Sequence, residues 1–346
     1  MIPHNYLRDN ETKKTDIMKF RTEYEARPDQ RLIDPEQPAV LIGSCFTDYI
    51  GERMRMCRWR AYPNLTGTLF NPSSIAKILK IASSFGEVSI FDVINESIAQ
   101  RDRLWVSWLT DSGSTTYSEE DTKDRVWGRL NRLRIHLEEA RTLIVTFGTA
   151  WIYELRERPG YIVANCHKFP AEMFERRRLS VAEIAEEWND LLQHFAQKYP
   201  DLRVIFTVSP VRHLKDGFEG NSRSKAILQL ACEEICLHNG NAEYFPSFEI
   251  VNDDLRDYRF YSSDMVHPSG EAVDYIWEKF QDRYLSKESR ALLREGEKVT
   301  KRLNHRPLMH GNSQLARYMA SCQEYEASQI YNSFMAAHPN MLAEDE

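Results

Sequence analysis

Three short apolar runs, widely separated in the chain, constrain the fold more than any other feature. They lie within residues 39–45, 141–147 and 202–208. Apolar runs without alternation are typical of strands that are buried on both faces. Since helix-like segments lie between these runs, the sequence predicts an α/β fold, three layers deep, with a mainly parallel sheet. Ligands bind such sheets beyond the carboxyl ends of the strands, so we expect Cys45, Gly148 and Ser209 at one edge.

Helical periodicity is clearest at 180–199, where Ser180 and Glu183 form a capping-box pattern before a repeat of apolar residues. The other predicted helices lie at 47–56, 73–84, 224–238, 270–285 and 314–336, with a last strand at 242–251. Over residues 87–140 the sequence predicts an insert with less regular secondary structure. The predicted organisation is a weakly ordered lead-in over 1–30, an α/β domain over 31–285 and a charged helical extension over 286–346.

The first apolar run ends in Gly43, Ser44 and Cys45, just before a predicted helix. A turn from strand to helix can lift one side chain above the edge of the sheet and place it at the positive end of the helix. A cysteine in that position is expected to have a lowered pKa, which favours the nucleophilic thiolate. The alternative is a small cysteine packed in the core.

Asp264 and His267 supply a partner for such a nucleophile. An aspartate three residues before a histidine can hold the imidazole in one tautomer and leave its other nitrogen as a base. The alternative is a helix start, with Asp264 as the N-cap and Pro268 in the first turn. Spacing alone does not decide between the two.

Several motifs resemble those of the GSCFA domain family in their residues and in their order along the chain. The first are Phe20-Arg21-Thr22 and Gly43-Ser44-Cys45-Phe46-Thr47, in which Thr47 replaces the usual Ala, and the others lie at 70–75, 146–154, 163–168, 208–213 and 255–267. The resemblance covers about residues 18 to 285. That family is similar to the SGNH hydrolase superfamily, whose members cleave or transfer acyl groups. The resemblance therefore implies a flavodoxin-like α/β/α fold and a reaction that cleaves or transfers an acyl group.

The resemblance also implies roles for individual residues. The superfamily has Gly-Asp-Ser at the first turn, so Ser44 takes the position of the Asp and Cys45 that of the nucleophilic Ser. Ser44 is the second candidate for the nucleophile. The block that contains Asp264 and His267 matches the final block of the superfamily without departure.

The block that supplies an oxyanion-hole Asn differs, because Ala150 stands where that Asn is expected and cannot donate a hydrogen bond. Other donors are then needed to stabilise the charge that develops on the acyl oxygen. The candidates for the oxyanion hole or for substrate binding, besides the Cys45 N–H, are Gly67, Asn71, Gly148, Thr149, Asn165 and His213. His213 is also a rival for the role of base.

Charge and composition exclude several classes of function. The chain has 346 residues, a formal net charge of −7 and a pI near 5.9, which disfavours a general nucleic-acid binder. No apolar run approaches the ~20 residues that a membrane helix needs. Residues 1–19 lack the apolar segment of a secretory signal, and the six cysteines are scattered, so we expect a cytoplasmic protein.

The sequence predicts neither a metal nor a cofactor. Cys166 and His167 are adjacent and Cys232 and Cys236 form one isolated pair, which does not match the spacing of a zinc site. No glycine-rich phosphate loop is present. The interleaved Arg256 and Arg259 either bind an anionic substrate group or lie on a strand edge with their charges in water.

The predicted function is hydrolysis of an acyl ester at a site made of cysteine, histidine and aspartate. The expected substrate is a small molecule or a glycan that carries an acyl group. Two alternatives stay open: an acyltransferase on the same scaffold, and a non-catalytic binding module that has lost the oxyanion Asn. The sequence does not predict the oligomeric state.

Overall fold

The computed structural model describes residues 21–87, 89–305 and 314–343. The strands in these ranges are β1 (Ala39–Gly43), β2 (Ala61–Pro63), β3 (Ile98–Arg101), β4 (Leu104–Ser107), β5 (Thr142–Phe147), β6 (Trp151–Leu155), β7 (Phe174–Arg178), β8 (Arg203–Val208) and β9 (Ala242–Tyr244). The helices are α1 (Cys45–Met56), α2 (Pro72–Ala82), α3 (Ile90–Ser97), α4 (Glu119–Glu139), α5 (Val181–Lys198), α6 (Gly217–His238), α7 (Ser247–Glu249), α8 (Gly270–Tyr284), α9 (Lys287–Leu303) and α10 (Gln314–Ala337).

Five parallel strands form the central sheet in the order β2-β1-β5-β8-β9. Two antiparallel hairpins, β3-β4 and β6-β7, lie outside it. Counted along the chain, the five strands of the sheet follow the order 2-1-3-4-5, which is the flavodoxin-like order. The predicted α/β fold with a mainly parallel sheet is therefore confirmed. The order reverses between β1 and β5, and sheets of this type bind ligands beyond the carboxyl ends of the strands at that point.

The sheet separates two apolar clusters because successive side chains along a strand point to opposite faces. Leu41, Ile144 and Ile205 lie in register on neighbouring strands and belong to one cluster. The next row along, Ile42, Val145 and Phe206, belongs to the other. All residues of β1, β5 and β8 are buried, which explains why these runs do not alternate between apolar and polar residues.

The helix predicted at 180–199 is confirmed as α5, and both hydrogen bonds of its capping box are present. The predicted helices at 270–285 and 314–336 are confirmed as α8 and α10. The prediction of an irregular insert over 87–140 is wrong, since this region contains α3, the β3-β4 hairpin and the 21-residue α4. Charges surround the narrow apolar stripe of α4, formed by Val126, Leu130, Leu133 and Leu137, and hide its periodicity.

The predicted strand at 242–251 is also wrong beyond its first three residues. β9 ends at Tyr244, and α7 then runs into a π-helical turn over Ile250–Leu255. Ile250 and Val251 are β-branched and suggest a strand, but here they pack into the cluster that contains Leu41. Of the predicted lead-in, residues 1–20 lie outside the described residues. Arg21 and the N–H of Tyr24 are bound to the Asp254 carboxylate.

The C-terminal helices pack on the same core as the α/β domain. Leu293, Val299 and Phe334 share a cluster with residues of α1 and α8, and the N–H of Leu342 donates to the carbonyl of Arg58. The proposed domain boundary at 286 stays a prediction. In the described ranges no helix is both long enough and apolar enough to cross a membrane.

Candidate active site

The turn between β1 and α1 requires glycine at its first position. Gly43 has a φ of 146°, and a Cβ there would overlap the Thr146 carbonyl on the neighbouring strand. Ser44 follows as the N-cap of α1, and its hydroxyl accepts a hydrogen bond from the Phe46 N–H at 3.3 Å. Its side chain is buried, whereas Cys45, the first residue of α1, is only half-buried.

Burial raises the pKa of the Cys45 thiol, and the negative charge of Asp48 one turn along α1 raises it further. The N–H groups of Cys45 and Phe46 and the charge of Lys225 act in the opposite direction but do not outweigh burial. The sequence-based expectation of a lowered pKa is therefore wrong. A helix N-terminus favours a thiolate only when desolvation is smaller than the benefit of the helix end.

Asp264 and His267 form the pair that the motif predicts. The Asp264 Oδ2 lies 2.7 Å from the His267 Nδ1, and its Oδ1 accepts from the N–H groups of Val266 and His267 at 2.9 and 3.0 Å. These hydrogen bonds, led by that of the His267 N–H, lower the pKa of the Asp264 carboxyl to about 2. The helix-start interpretation of Asp264 is wrong, because the N-cap of α8 is Ser269.

The fold brings the His267 loop to the start of α1, over two hundred residues away in the chain. The ring of Tyr49, one turn after Cys45, lies edge-on to the His267 ring with 6.5 Å between centroids. Cys45 and Val266 pack against the same apolar cluster. Within the described part of the chain, no hydrogen bond joins Cys45 to His267. Catalytic hydrogen bonds are often loose in unliganded enzymes and tighten around the substrate.

Lys225 on α6 also belongs to this site, although sequence reasoning missed it. Its Nζ donates to the carbonyls of Gly148 and Ser209 at 2.7 and 2.6 Å, which are the first residues beyond β5 and β8. Lys225 is 1% exposed, and burial lowers its pKa to about 7 while the charge of Cys45 raises it. A signal was present in the sequence: Lys225 continues the buried stripe that includes Leu228 and Cys232.

Three backbone amides that were candidates for oxyanion binding are already engaged. The N–H groups of Gly148 and Thr149 both donate to the carbonyl of Phe70, at 2.8 and 2.9 Å. The N–H of Gly67 donates to the Asn64 carbonyl at 2.7 Å. The expectation that the Gly67 amide is a free donor is therefore wrong, and the Gly148 and Thr149 amides are likewise occupied by a loop contact. The Cys45 N–H is the first of α1, where no intrahelical carbonyl is available.

The side-chain candidates at this edge of the sheet differ in whether they still have a hydrogen-bond donor without a partner. Asn71 is the N-cap of α2: its Oδ1 accepts from the Ser74 N–H and its Nδ2 donates to the Ser74 hydroxyl. Asn165 uses its Oδ1 to accept from the His167 N–H at 2.7 Å, and its Nδ2 makes no hydrogen bond within the described part of the chain. The Thr149 hydroxyl lies 3.1 Å from that of Ser224.

A cavity of about 410 Å³, which we call the rim cavity, opens beside these residues. Its wall includes Phe70, Asn71, Thr149, Trp151, Asn165 and His213. His213 lies edge-on to Phe70 with 5.9 Å between ring centroids. Burial and then the charge of Lys225 lower the pKa of His213 to about 4. His213 is therefore neutral near pH 7, and a base that weak competes poorly with an imidazole held by a carboxylate.

Arg256 and Arg259 lie in the turns around residues 250–260 and not on the predicted strand edge. Arg256 is the C-cap of the π-helical turn, and Arg259 is exposed, 3.7 Å from Asp257. All six cysteines are free thiols. No group of three or more histidine, cysteine, aspartate or glutamate side chains is placed to hold a metal ion in the described ranges.

Comparison with known proteins gives a family match. The model described as the GSCFA family matches residues 38–280, which confirms the resemblance of the sequence motifs. No curated protein matches the sequence.

Two solved structures show a weak likeness. One is provisionally described as a platelet activating factor from Streptococcus pneumonia, with 12% identity, a TM-score of 0.36 and coverage of 71% of this chain and 83% of the other. The second is an acetyl xylan esterase, Est2A, from the rumen bacterium Butyrivibrio proteoclasticus, with 11% identity, a TM-score of 0.30 and coverage of 71% and 63%. Likenesses this weak say nothing about the reaction of this chain.

Proposed function

The chain belongs to the GSCFA family, and on that premise we propose that it is an acyl-ester hydrolase with Cys45 as its nucleophile. One observation carries the proposal: the Asp264–His267 pair lies beside the first turn of α1, where Cys45 is the first residue. An aspartate bound to Nδ1 leaves Nε2 of the imidazole as the atom that can accept a proton. The site lies where the strand order of the sheet reverses, which is where such folds bind ligands.

The raised pKa of the Cys45 thiol determines the order of steps that we propose. The substrate enters while Cys45 is a thiol, and His267 takes its proton as the sulfur attacks the acyl carbon. The carbon–sulfur bond forms, and the bond from the acyl carbon to the alcohol oxygen breaks as His267 passes the proton to that oxygen. Water then attacks the thioester, giving a proton to His267, and the acid leaves as the proton returns to sulfur.

The Cys45 N–H is the first donor that we propose for the oxyanion, since no intrahelical carbonyl pairs with it. Asn165 Nδ2 is the amide that could replace the missing side chain at Ala150. Ser44 is the weaker candidate for the nucleophile, because it is 1% exposed and caps α1.

A panel of acetyl and longer acyl esters and acyl-CoA thioesters tests the proposal. We expect Cys45→Ala to lower kcat/KM at least ~10³-fold and His267→Ala ~10²- to 10⁴-fold on any substrate found. Cys236→Ala is the matched control, since Cys236 is also a half-buried thiol but lies on α6 outside the wall of the rim cavity. Peptide mass spectrometry should find the acyl group on Cys45 after rapid acid quenching.

A binding module is the second candidate, and two observations favour it. The pKa of the Cys45 thiol is raised, and no hydrogen bond joins it to His267 within the described residues. If wild type and Cys45→Ala are both inactive on every ester and thioester, and no adduct forms at Cys45, the hydrolase proposal is wrong. The site would then bind an acyl compound without cleaving it.

A further inference from the structure

The rim cavity contains more positive than negative charge, and its cations differ in how they are paired. The guanidinium of Arg176 pairs with the Asp216 carboxylate and stacks over the Trp151 ring at 4.0 Å. Asp216 is the carboxylate in the wall of the cavity, so Arg176 already neutralises it. The remaining cations in the wall are Arg212 and Lys215.

Arg212 and Lys215 are held in place by aromatic residues. The guanidinium of Arg212 lies over the rings of Tyr261 and Tyr258, at 4.4 and 5.5 Å from their centroids. The Nζ of Lys215 donates to the Tyr153 hydroxyl at 2.9 Å. Neither cation has a carboxylate within 4.0 Å in the described part of the chain. The charge of each cation is therefore not neutralised by a carboxylate, and its side chain is held in place by the neighbouring rings. Recognition of an anion requires both.

The cavity also supplies uncharged donors and apolar walls. Asn165 Nδ2 has no partner among the described residues, and Phe70 and Trp151 give the cavity two aromatic faces. His213 stays neutral at pH 7 because its pKa is near 4, so it contributes a polar contact without adding charge. A small organic molecule with one oxyanion fits this combination better than an uncharged ester does.

The position of these cations connects the cavity to the proposed reaction. The N–H of Arg212 donates to the carbonyl of Val266, the residue before His267, at 3.2 Å. Thr149, in the wall of the cavity, follows Gly148, whose carbonyl accepts from Lys225. An anion between Arg212 and Lys215 would therefore lie beside the base and at the same edge of the sheet as Cys45.

We propose that the rim cavity binds a carboxylate or phosphate group through Arg212 and Lys215, and that this group is part of the substrate. The second half of the statement rests on the proposed function, but the binding itself does not. The favoured substrates are esters whose acyl or alcohol part carries an anion, such as half-esters of dicarboxylic acids or phosphorylated alcohols. Neutral esters of the same size would bind more weakly.

Titration calorimetry on the Cys45→Ala variant tests the binding separately from any turnover. The probes are succinate, inorganic phosphate and succinamide, which resembles succinate in size but carries no charge. We expect millimolar or tighter binding of at least one anion and none of succinamide. Preference for succinate or for phosphate identifies which oxyanion the cavity takes.

Substitutions distinguish a specific anion-binding site from non-specific attraction of an anion to positive charges on the surface. Arg212→Gln and Lys215→Gln should each weaken binding about tenfold or more, and Arg212→Lys should recover part of the loss. Lys298→Gln is the matched control, since Lys298 is an exposed cation on α9. Absence of anion binding, or equal loss in the Lys298 variant, would overturn the inference even if Cys45-dependent hydrolysis is found. If binding is lost only in the Arg212 and Lys215 variants and no ester is hydrolysed, anion binding in the rim cavity would be supported and the proposed hydrolysis contradicted.

Discussion

At Cys45, two opposing effects act on one thiol. The start of α1 and the charge of Lys225 favour the thiolate, while burial and Asp48 favour the thiol and prevail. Asp48 hydrogen-bonds the Asn64 side chain, and an asparagine in its place removes the negative charge but keeps a polar side chain of the same size. Asp48→Asn should lower the pKa of Cys45 and raise its rate of alkylation by iodoacetamide at pH 7 severalfold, since each pKa unit changes the thiolate fraction about tenfold.

The control for this prediction is Glu52→Gln, which removes the same charge one further turn along α1, where the side chain is exposed. Alkylation at Cys45 is followed by peptide mass spectrometry with Cys166 as the internal standard, because burial raises the pKa of Cys166 to about 11. A rate that stays unchanged in Asp48→Asn, or rises equally in Glu52→Gln, would contradict the assigned effect of Asp48.

His213 should make the stability of the protein depend on pH. Its pKa is about 4 in the folded protein and near 6.5 when the chain is unfolded. Between these values the unfolded chain binds a proton that the folded protein does not, so stability falls as the pH drops from 6.5 towards 4. Between pH 7 and pH 5, wild type should lose about 2 kcal/mol more unfolding free energy than His213→Gln.

Urea denaturation at the two pH values measures this difference, and the contributions of other groups cancel between wild type and variant. His213→Asn serves as a second uncharged replacement in case glutamine disturbs the contact with Phe70. Equal losses in wild type and both variants would mean that His213 titrates normally in the folded protein.

Individual residues could be predicted from sequence where the contact is local. Asp264 and His267 are three residues apart, and their hydrogen bond follows from that spacing. The engagement of the Gly148 and Thr149 amides could not be predicted, because their acceptor is the Phe70 carbonyl, almost eighty residues earlier. The pKa of Cys45 was mispredicted for a related reason: a motif shows the helix end but not how much water the fold excludes.

At the scale of the element, α1 depends on its N-cap. Ser44→Ala removes the hydroxyl that accepts from the Phe46 N–H and should lower the unfolding free energy by about 1 kcal/mol. Ser286→Ala is the matched control, since Ser286 caps α9 with the same type of hydrogen bond. If Ser44 is only a cap, both variants lose similar stability and both retain activity on any ester found. A loss of activity above ~10³-fold confined to Ser44→Ala would make Ser44 the nucleophile.

Elements were predictable where one signal dominated. Helix α5 has a capping box and a wide apolar face, and both were evident in the sequence. Helix α4 has an apolar stripe one residue wide within a charged sequence, so its periodicity was missed. The turn at Ile250–Leu255 resembles a strand in composition, but its side chains pack into the core from a helical backbone. Tertiary packing overrides local preference in such segments.

For the whole molecule, a close backbone contact between α9 and the end of α1 helps to hold the C-terminal helices against the α/β domain. Gly296 of α9 faces the carbonyl of Cys57 at the end of α1, and a methyl group there would overlap that oxygen. Gly296→Ala should therefore push α9 away from the core and lower the unfolding free energy by about 1–3 kcal/mol. The flexible end of a side chain could yield, but this backbone carbonyl cannot do so without moving α1.

Gly128 provides the matched control for this contact. It lies inside α4, and a methyl group there would meet no atom within 4 Å. Gly128→Ala should raise the unfolding free energy by about 1 kcal/mol, because alanine favours a helix more than glycine does. Urea denaturation followed by circular dichroism measures both variants. If Gly296→Ala is as stable as Gly128→Ala, the close approach of α9 to the Cys57 carbonyl does not constrain the position of α9 as inferred.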